Sequence, residues 1–188
     1  MRKISLLLGL LAVAVLAAVL VVIVRPFASA VSPGGPLGPP GNLSTVCLPS
    51  RLGQAVTIGI QDFTNSGHDT VIVDRVTLGT PHNLRLAGAY AVPGRYTVGV
   101  WRTFPPRAGQ LLQGVQWAKR RNLAGTRVLS GGWVNVAAGI EPTRKARGTT
   151  TGIVVWYHDQ GKRYELRTNV HVIVSVPPAR CWADGRPS

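Results

Sequence analysis

The chain begins with an unbroken apolar run and continues into a domain in which apolar and polar residues alternate. The run starts at Ile4 and ends at Val24, and Arg2 and Lys3 precede it. As a helix with a rise of about 1.5 Å per residue, it would reach about 31 Å, which matches the hydrocarbon core of a bilayer. The pattern therefore predicts an N-terminal transmembrane anchor, residues 1–25, whose partner is the lipid bilayer.

The charges that flank this run predict its orientation. Two basic residues precede the run, and Arg25 follows it with no further basic residue before Arg51. The positive-inside rule therefore places the N-terminus in the cytoplasm and the following domain outside the cell. Ala28-Ser29-Ala30 indicates an alternative, because small residues in this spacing are typical of signal-peptide cleavage, and a cut after Ala30 would give a secreted domain. The run exceeds the usual apolar core of about 7–15 residues in signal peptides, which favours the retained anchor.

A composition change marks the next boundary. Residues 26–46 are rich in Pro and Gly, almost free of charge and without an apolar period, so they are predicted to form a linker. Residues 47–182 are long enough for one domain with its own core. Residues 183–188 are predicted to form a disordered tail.

Alternation with a period of two predicts strands throughout this domain. Apolar residues occupy every second position in 56–60 and again in 71–73, and turn residues at 65–67 separate the two runs. The phase of the pattern shifts near Asp74, which predicts a β-bulge or a strand switch there. Further strands are predicted at 84–86, 96–101 and 133–136.

The clearest β signal lies near the C-terminal end. Residues 152–157 and 163–176 flank a polar turn, and the seven alternate positions from 164 to 176 hold Tyr, Leu, Thr or Val, so a hairpin is predicted. Residues 109–124 instead predict an irregular insertion with at most one helical turn. The fold class is therefore all-β, an antiparallel immunoglobulin-like sandwich of about seven or eight strands, with a small barrel as the alternative.

Two cysteines, Cys47 and Cys181, bracket the domain. A pair of cysteines in an exported domain is expected to form a disulfide bond, and two free buried thiols are the alternative. Because the closed loop would be long, the bond would stabilise the fold by up to about 5 kcal/mol. It would also hold the first and last strands together.

Short motifs carry a resemblance to exported domains. Residues 64–67 (TNSG) followed by 71–76 (VIVDRV) resemble the opening hairpin of immunoglobulin-like exported domains, and 152–157 (GIVVWY) with 161–164 (GKRY) resemble their penultimate hairpin. With 17 Arg against 4 Lys, the composition is typical of a GC-rich bacterial genome. The chain resembles the single-anchor exported proteins of actinobacteria, and this resemblance implies no activity. Antibody domains are not implied, because the cysteines lie at the ends of the domain.

Charge gives the domain its candidate contact surfaces. Residues 47–182 carry 17 basic and 6 acidic side chains, a net charge of +11. Two clusters fall in predicted loops: Lys119, Arg120 and Arg121, and Arg144, Lys145 and Arg147. Outside the cell the available polyanions are lipid headgroups and envelope polymers, so an anionic envelope polymer or a protein partner is expected, and no nucleic acid. A solvated basic surface without a ligand is the alternative.

Signatures of catalysis are missing from the sequence. There is no Gly-x-Ser-x-Gly, Ser-x-x-Lys or phosphate-binding loop motif, so the chain is predicted to be a non-enzymatic binding or structural module with no catalytic residues, cofactor or metal. The alternative is a cell-envelope enzyme or metal-handling domain. Its site would need two turns to converge and combine His68, Asp69, His158 and Asp159.

Overall fold

The computed structural model describes residues 32–38, 43–94 and 96–181. Within them the chain forms thirteen strands and two 3₁₀ turns, at Ala108–Gln110 and Trp117–Lys119. The strands are β1 Ser32–Pro33, β2 Ser44–Pro49, β3 Val56–Thr64, β4 Val71–Leu78, β5 Leu84–Val92, β6 Gly99–Trp101, β7 Arg121–Asn122, β8 Arg127–Val128, β9 Trp133–Pro142, β10 Arg147–Thr150, β11 Ile153–Asp159, β12 Lys162–Arg167 and β13 Val170–Ser175. The described residues contain no helix that is long and apolar enough to cross a bilayer. The predicted span, the cleavage position and the predicted tail lie outside the described residues.

The strands form three open sheets around one core. The β4 sheet has the order β1-β12-β11-β4-β8, the β9 sheet has the order β6-β3-β9-β5-β7, and the small β13 sheet has the order β10-β13-β2. Buried side chains from all three sheets join a single apolar cluster, among them Phe63, Val73, Val136, Val155 and Val172. The prediction of an all-β chain is confirmed, and the open strand orders favour a sandwich over a closed barrel. The prediction of an antiparallel fold of seven or eight strands is wrong in detail, because the described residues form thirteen strands and two of the pairs, β1 with β12 and β2 with β13, are parallel.

The predicted bulge is confirmed, and so is the hairpin, but its second strand, predicted over 163–176, is divided into β12 and β13, which lie in different sheets. Strands β11 and β12 pair antiparallel around a tight turn, and the flanking strands β10 and β13 also pair antiparallel. Between β4 and β11, Trp156 lies opposite Arg75, but Tyr157 lies opposite Val73. Asp74 is therefore the extra residue of a bulge, as the phase shift in the sequence predicts.

Strand β9 and the first half of β3 are buried on both faces, whereas the alternation predicts strands buried on one face. The irregular segment 102–120 covers the outer face, and Phe104 lies so close to Gly139 that a Cβ there would come within 2.3 Å of its ring. A second apolar cluster lies between the cover and this face. Its buried members are Val92, Val98 and Ala137, and the partly buried side chains around them are Tyr90, Trp101, Leu111, Val115 and Trp117. Thr57 is consequently buried and donates its hydroxyl to the Thr103 carbonyl. Local alternation does not reveal a cover supplied by a distant segment.

Part of the predicted linker, 26–46, belongs to the domain, which corrects that boundary. Residues 32–38 form a strap: β1 pairs in parallel with β12, and Leu37 is only 2% exposed in the core. Gly35 lets the strap lie against Tyr157, because a Cβ at this position would come within 2.3 Å of the Tyr157 hydroxyl. Burial raises the pKa of the Tyr157 phenol, and the neighbouring Leu37 backbone partly offsets this. The Pro and Gly content predicts a free linker, but backbone pairing and the buried Leu37 side chain hold this segment on the domain.

The predicted disulfide bond is confirmed. It joins Cys47 in β2 to Cys181 with a Cα–Cα distance of 5.7 Å. Strand β2 pairs in parallel with β13, and Cys47 lies opposite Ile173 in this pairing. The bond therefore ties the first long strand to the chain that follows the last strand.

Replacing both cysteines with alanine should lower the free energy of unfolding. The bridge joins residues that are 134 apart in sequence, and loss of a native bridge of this kind typically costs about 2–5 kcal/mol. Urea denaturation of the double variant measures the loss, and the reduced wild-type protein should show the same decrease. An unchanged denaturation midpoint in the variant would contradict the role of the bond.

Two leucines of the predicted linker should respond differently to truncation. Leu37→Ala removes a buried side chain and should lower the unfolding free energy by about 2–4 kcal/mol. Leu43, which is 82% exposed, is the matched control, and Leu43→Ala should change it by less than about 0.5 kcal/mol. Denaturation of both variants tests whether the strap belongs to the folded domain, and equal effects would argue against it.

Candidate functional site

Loops from both large sheets meet at one end of the sandwich, called the groove end below. They are the turn 65–70 after β3, the loop 129–132 between β8 and β9, and the turn 160–161 between β11 and β12. The Ser130 hydroxyl donates to the carbonyl of Gly67 at 2.6 Å, and the Gln160 amide donates to the Asp69 carboxylate at 2.8 Å. These hydrogen bonds hold the three loops side by side.

A groove of about 410 Å³ opens at this end, between β8 and the adjoining ends of β5 and β9. Its floor is apolar and includes Ala91, Val92, Val128 and Val134. On its walls Leu129 is 65% exposed and Trp133 is 48% exposed. Three cations complete the lining: Lys119, Arg121 and Arg127. An apolar floor with a few polar groups at its edge is the usual make-up of a ligand site.

The crossing of the chain from one sheet to the other explains why these cations converge. Strand β7 pairs with β5 and carries Arg121, whereas β8 pairs with β4 and carries Arg127. Between them Leu123 is fully buried, and its backbone N–H donates to the Ala89 carbonyl at 2.9 Å. One buried leucine therefore anchors the crossing, and the two arginines, which come from different sheets, face the same groove.

A buried amide shapes the opposite wall. Asn135 is buried, and its side chain donates to the carbonyls of Gly94 at 3.2 Å and Tyr96 at 2.9 Å. Gly94 has a φ of +142°, and a Cβ there would come within 2.4 Å of the Gly114 carbonyl oxygen. The loop after β5 is thus held close to the insertion by one satisfied buried polar group.

The three groove cations have no carboxylate partner among the residues that the structure describes. Among these residues, Arg85 pairs with Glu141 and Arg167 pairs with Glu165, and His158 contacts Asp74. The positive charge of Lys119, Arg121 and Arg127 is therefore available to a ligand, and it is concentrated beside low-dielectric walls.

Within the first predicted cluster, Arg120 has a structural role. Its guanidinium lies 4.8 Å from the ring centroid of Trp117 and 5.4 Å from that of Tyr90. It also donates to the Trp117 carbonyl at 3.1 Å. Lys119 and Arg121, by contrast, line the groove. Arg120 thus helps to fix the aromatic cover that the other two cations flank.

The second predicted cluster lies at the other end of the molecule. Arg144 and Lys145 are in the turn after β9, and Arg147 begins β10, whereas the groove lies at Trp133, the first residue of β9. β9 has ten residues, and at about 3.3 Å each they separate the two clusters by about 30 Å. A compact ligand can therefore contact only one of them.

Three groove residues are absent from the sequence prediction: Arg127, Leu129 and Trp133. Arg127 has no basic neighbour in the chain, and tryptophan side chains more often fill protein cores than line surface grooves. A signal for Trp133 was nevertheless present, because it alternates with Val134 and Val136 and so faces away from the core. Nothing local indicates Arg127, since its place in the groove depends on the crossing between sheets.

The predicted alternative site brings its two turns together without assembling a metal cluster. Its four residues are His68, Asp69, His158 and Asp159. Asp69 accepts a hydrogen bond from Gln160, and the Nδ1 atom of His158 lies 2.6 Å from a carboxylate oxygen of Asp74. The bulge at Asp74 places this carboxylate beside the histidine. Across the described residues, no three His, Cys, Asp or Glu side chains are grouped closely enough to hold a metal ion.

Comparison with known proteins gives a distant structural likeness and no family. No family model and no curated protein matches the chain. Among solved structures, it is similar to an ASH / PapD-like domain of human CEP192, PapD-like domain 7, with 13% sequence identity and a TM-score of 0.37. The match covers 84% of this chain and 97% of that domain. A TM-score this low supports no inference about function.

Neighbouring arginines should differ in their effect on stability. Arg120→Ala removes the contacts with two rings and should lower the unfolding free energy by about 0.5–1 kcal/mol. Arg121→Ala removes the same charge from an exposed position and should change it by less than about 0.5 kcal/mol. Urea denaturation of the two variants measures the difference. Equal losses would contradict the structural role of Arg120.

Proposed function

We propose that this chain is a membrane-anchored, extracytoplasmic binding module of the cell envelope. Its domain would be an immunoglobulin-like sandwich, similar to those of single-anchor exported proteins of actinobacteria. The groove lined by Lys119, Arg121, Arg127, Leu129 and Trp133 would bind an anionic envelope component that also has an apolar part. The observation that carries this proposal is the juxtaposition, in one groove, of an exposed tryptophan with three cations that pair with no carboxylate of the described residues.

Two features of the chain support an extracytoplasmic location. The apolar run 4–24, with basic residues before it, is typical of an anchor that leaves the following domain outside. The Cys47–Cys181 bond is of the kind that persists in oxidising compartments. Both features would place the groove among lipid headgroups and envelope polymers, away from cytosolic nucleic acid.

The chemistry of the groove favours an anionic ligand. Arginine presents a planar set of donors that matches phosphate and carboxylate oxygens, and Arg121 and Arg127 can each supply such a set. Trp133 and Leu129 offer apolar area beside these charges. Because the cations are exposed, the attraction should weaken as salt concentration rises.

The lining of the groove favours binding over catalysis. The described residues that line it include no Asp, Glu, His or Cys, so a carboxylate, an imidazole and a thiol are not positioned there. The hydroxyl of Thr126 donates to the Asn122 carbonyl, and the amide of Asn135 is bonded to two carbonyls. These polar groups serve the fold.

Charge reversal at the groove should weaken binding of a soluble polyanion. The full chain in zwitterionic nanodiscs would be titrated against labelled polyphosphate by fluorescence anisotropy at low and high salt. Arg121→Glu with Arg127→Glu should weaken binding by roughly tenfold or more, because each substitution replaces an attraction with a repulsion.

The matched control reverses two charges at the far end. Arg144→Glu with Lys145→Glu changes the net charge by the same amount but lies outside the groove, so it should reduce binding clearly less. If both double variants lose affinity equally, net charge alone draws the polyanion and the groove has no specific role. If neither variant loses affinity, the groove does not bind anions.

A further inference from the structure

The exposed apolar side chains of this domain are concentrated at the groove end. Among the described residues, six large apolar side chains are well exposed, and four of them lie there: Tyr96, Leu112, Leu129 and Trp133. Asn135 bonds the Tyr96 carbonyl, and the loop that contains Leu112 contacts Tyr96 through Gly114. These side chains come from three different loops, so their proximity is a product of the fold.

Cations lie at the same end of the domain as this apolar group. Lys162 and Arg163, exposed beside the turn between β11 and β12, add to the three cations of the groove. Asp62, Asp69 and Asp159 also lie at this end, but none of them lines the groove. The attraction for an anionic surface would therefore come from the cations of the groove. Aromatic and aliphatic side chains flanked by Lys and Arg are the composition of surfaces that rest in the headgroup region of a membrane.

The strap shows where the chain enters the domain. β1 runs parallel to β12 with Ser32 opposite Tyr164, and β12 starts at the turn of the groove end with Lys162. Only residues 25–31 separate β1 from the apolar run, and even fully extended they reach at most about 25 Å. A free linker over the whole of 26–46 would reach about 70 Å.

We propose that the groove end docks on the anionic bilayer that holds the anchor. Trp133, Leu129, Tyr96 and Leu112 would enter the headgroup region, and the groove cations would contact lipid phosphates. This inference rests on the proposed function and commits its ligand to anionic lipid. Because the tether keeps the domain at an effective concentration of about millimolar, weak contacts suffice to keep it docked.

Tryptophan fluorescence in bilayers tests this docking with the full chain. The protein would be placed in nanodiscs whose phospholipids carry bromine on the acyl chain near the headgroup, since bromine quenches only nearby indoles. Quenching should be stronger in anionic than in zwitterionic nanodiscs and should fall as salt rises. Trp133→Phe should remove most of this salt-sensitive quenching.

The matched control is Trp156→Phe, because Trp156 is half-buried in β11 under the guanidinium of Arg75. This variant should keep the salt-sensitive quenching. Docking is overturned if quenching is equal in anionic and zwitterionic lipid, or if Trp133→Phe leaves it unchanged. If intact mass shows that the mature chain begins at Val31, the domain has no anchor, and that result also overturns docking.

The polyphosphate titration separates this inference from the proposed function. If polyphosphate binds the groove and quenching is absent, the groove serves a soluble polymer and docking fails. If quenching depends on Arg121 and Arg127 while polyphosphate does not bind, the bilayer is the ligand. Loss of both signals removes both proposals.

Discussion

Burial of β9 on both faces is the constraint on which the rest of this structure depends. One face carries Val134 and Val136 into the shared core, and the other carries Ala137 and Gly139 under the aromatic cover. Small residues on the outer face let the insertion approach closely, since Phe104 occupies the space that a Cβ on Gly139 would need. From this cover the chain continues into β7 and crosses from there to β8, and the groove lies beside that crossing.

Period-two alternation predicted most of the architecture, because it records which side of a strand meets the core. It identified the C-terminal hairpin, the bulge at Asp74 and the all-β class, and the position of the cysteines predicted their bond. It failed where a distant segment decides burial. Thr57 is polar and would be exposed on a sheet with one solvated face, but the insertion buries it. The strap was missed for the same reason, because Leu37 stands alone among prolines and glycines.

The candidate site was predictable only in part, since charge clusters in sequence are not clusters in space. Lys119 and Arg121 are adjacent in the chain and do share the groove, but Arg120 between them packs on two rings. Arg127 reaches the groove from another sheet, and the residues next to it in the sequence do not indicate this position. Charge in a sequence therefore gives the sign of a ligand, whereas the crossing at Leu123 determines which cations act together.

The strap links the stability of the fold to its proposed orientation. A domain on a long free linker samples many orientations, so no single face would be selected for the bilayer. Pairing of β1 with β12 and burial of Leu37 shorten that tether and fix the end from which it leaves. That same end carries the exposed Trp133 and Leu129. The residues that make the strap part of the core therefore also decide at which end of the domain Ser32 lies, and this is the end that carries the groove.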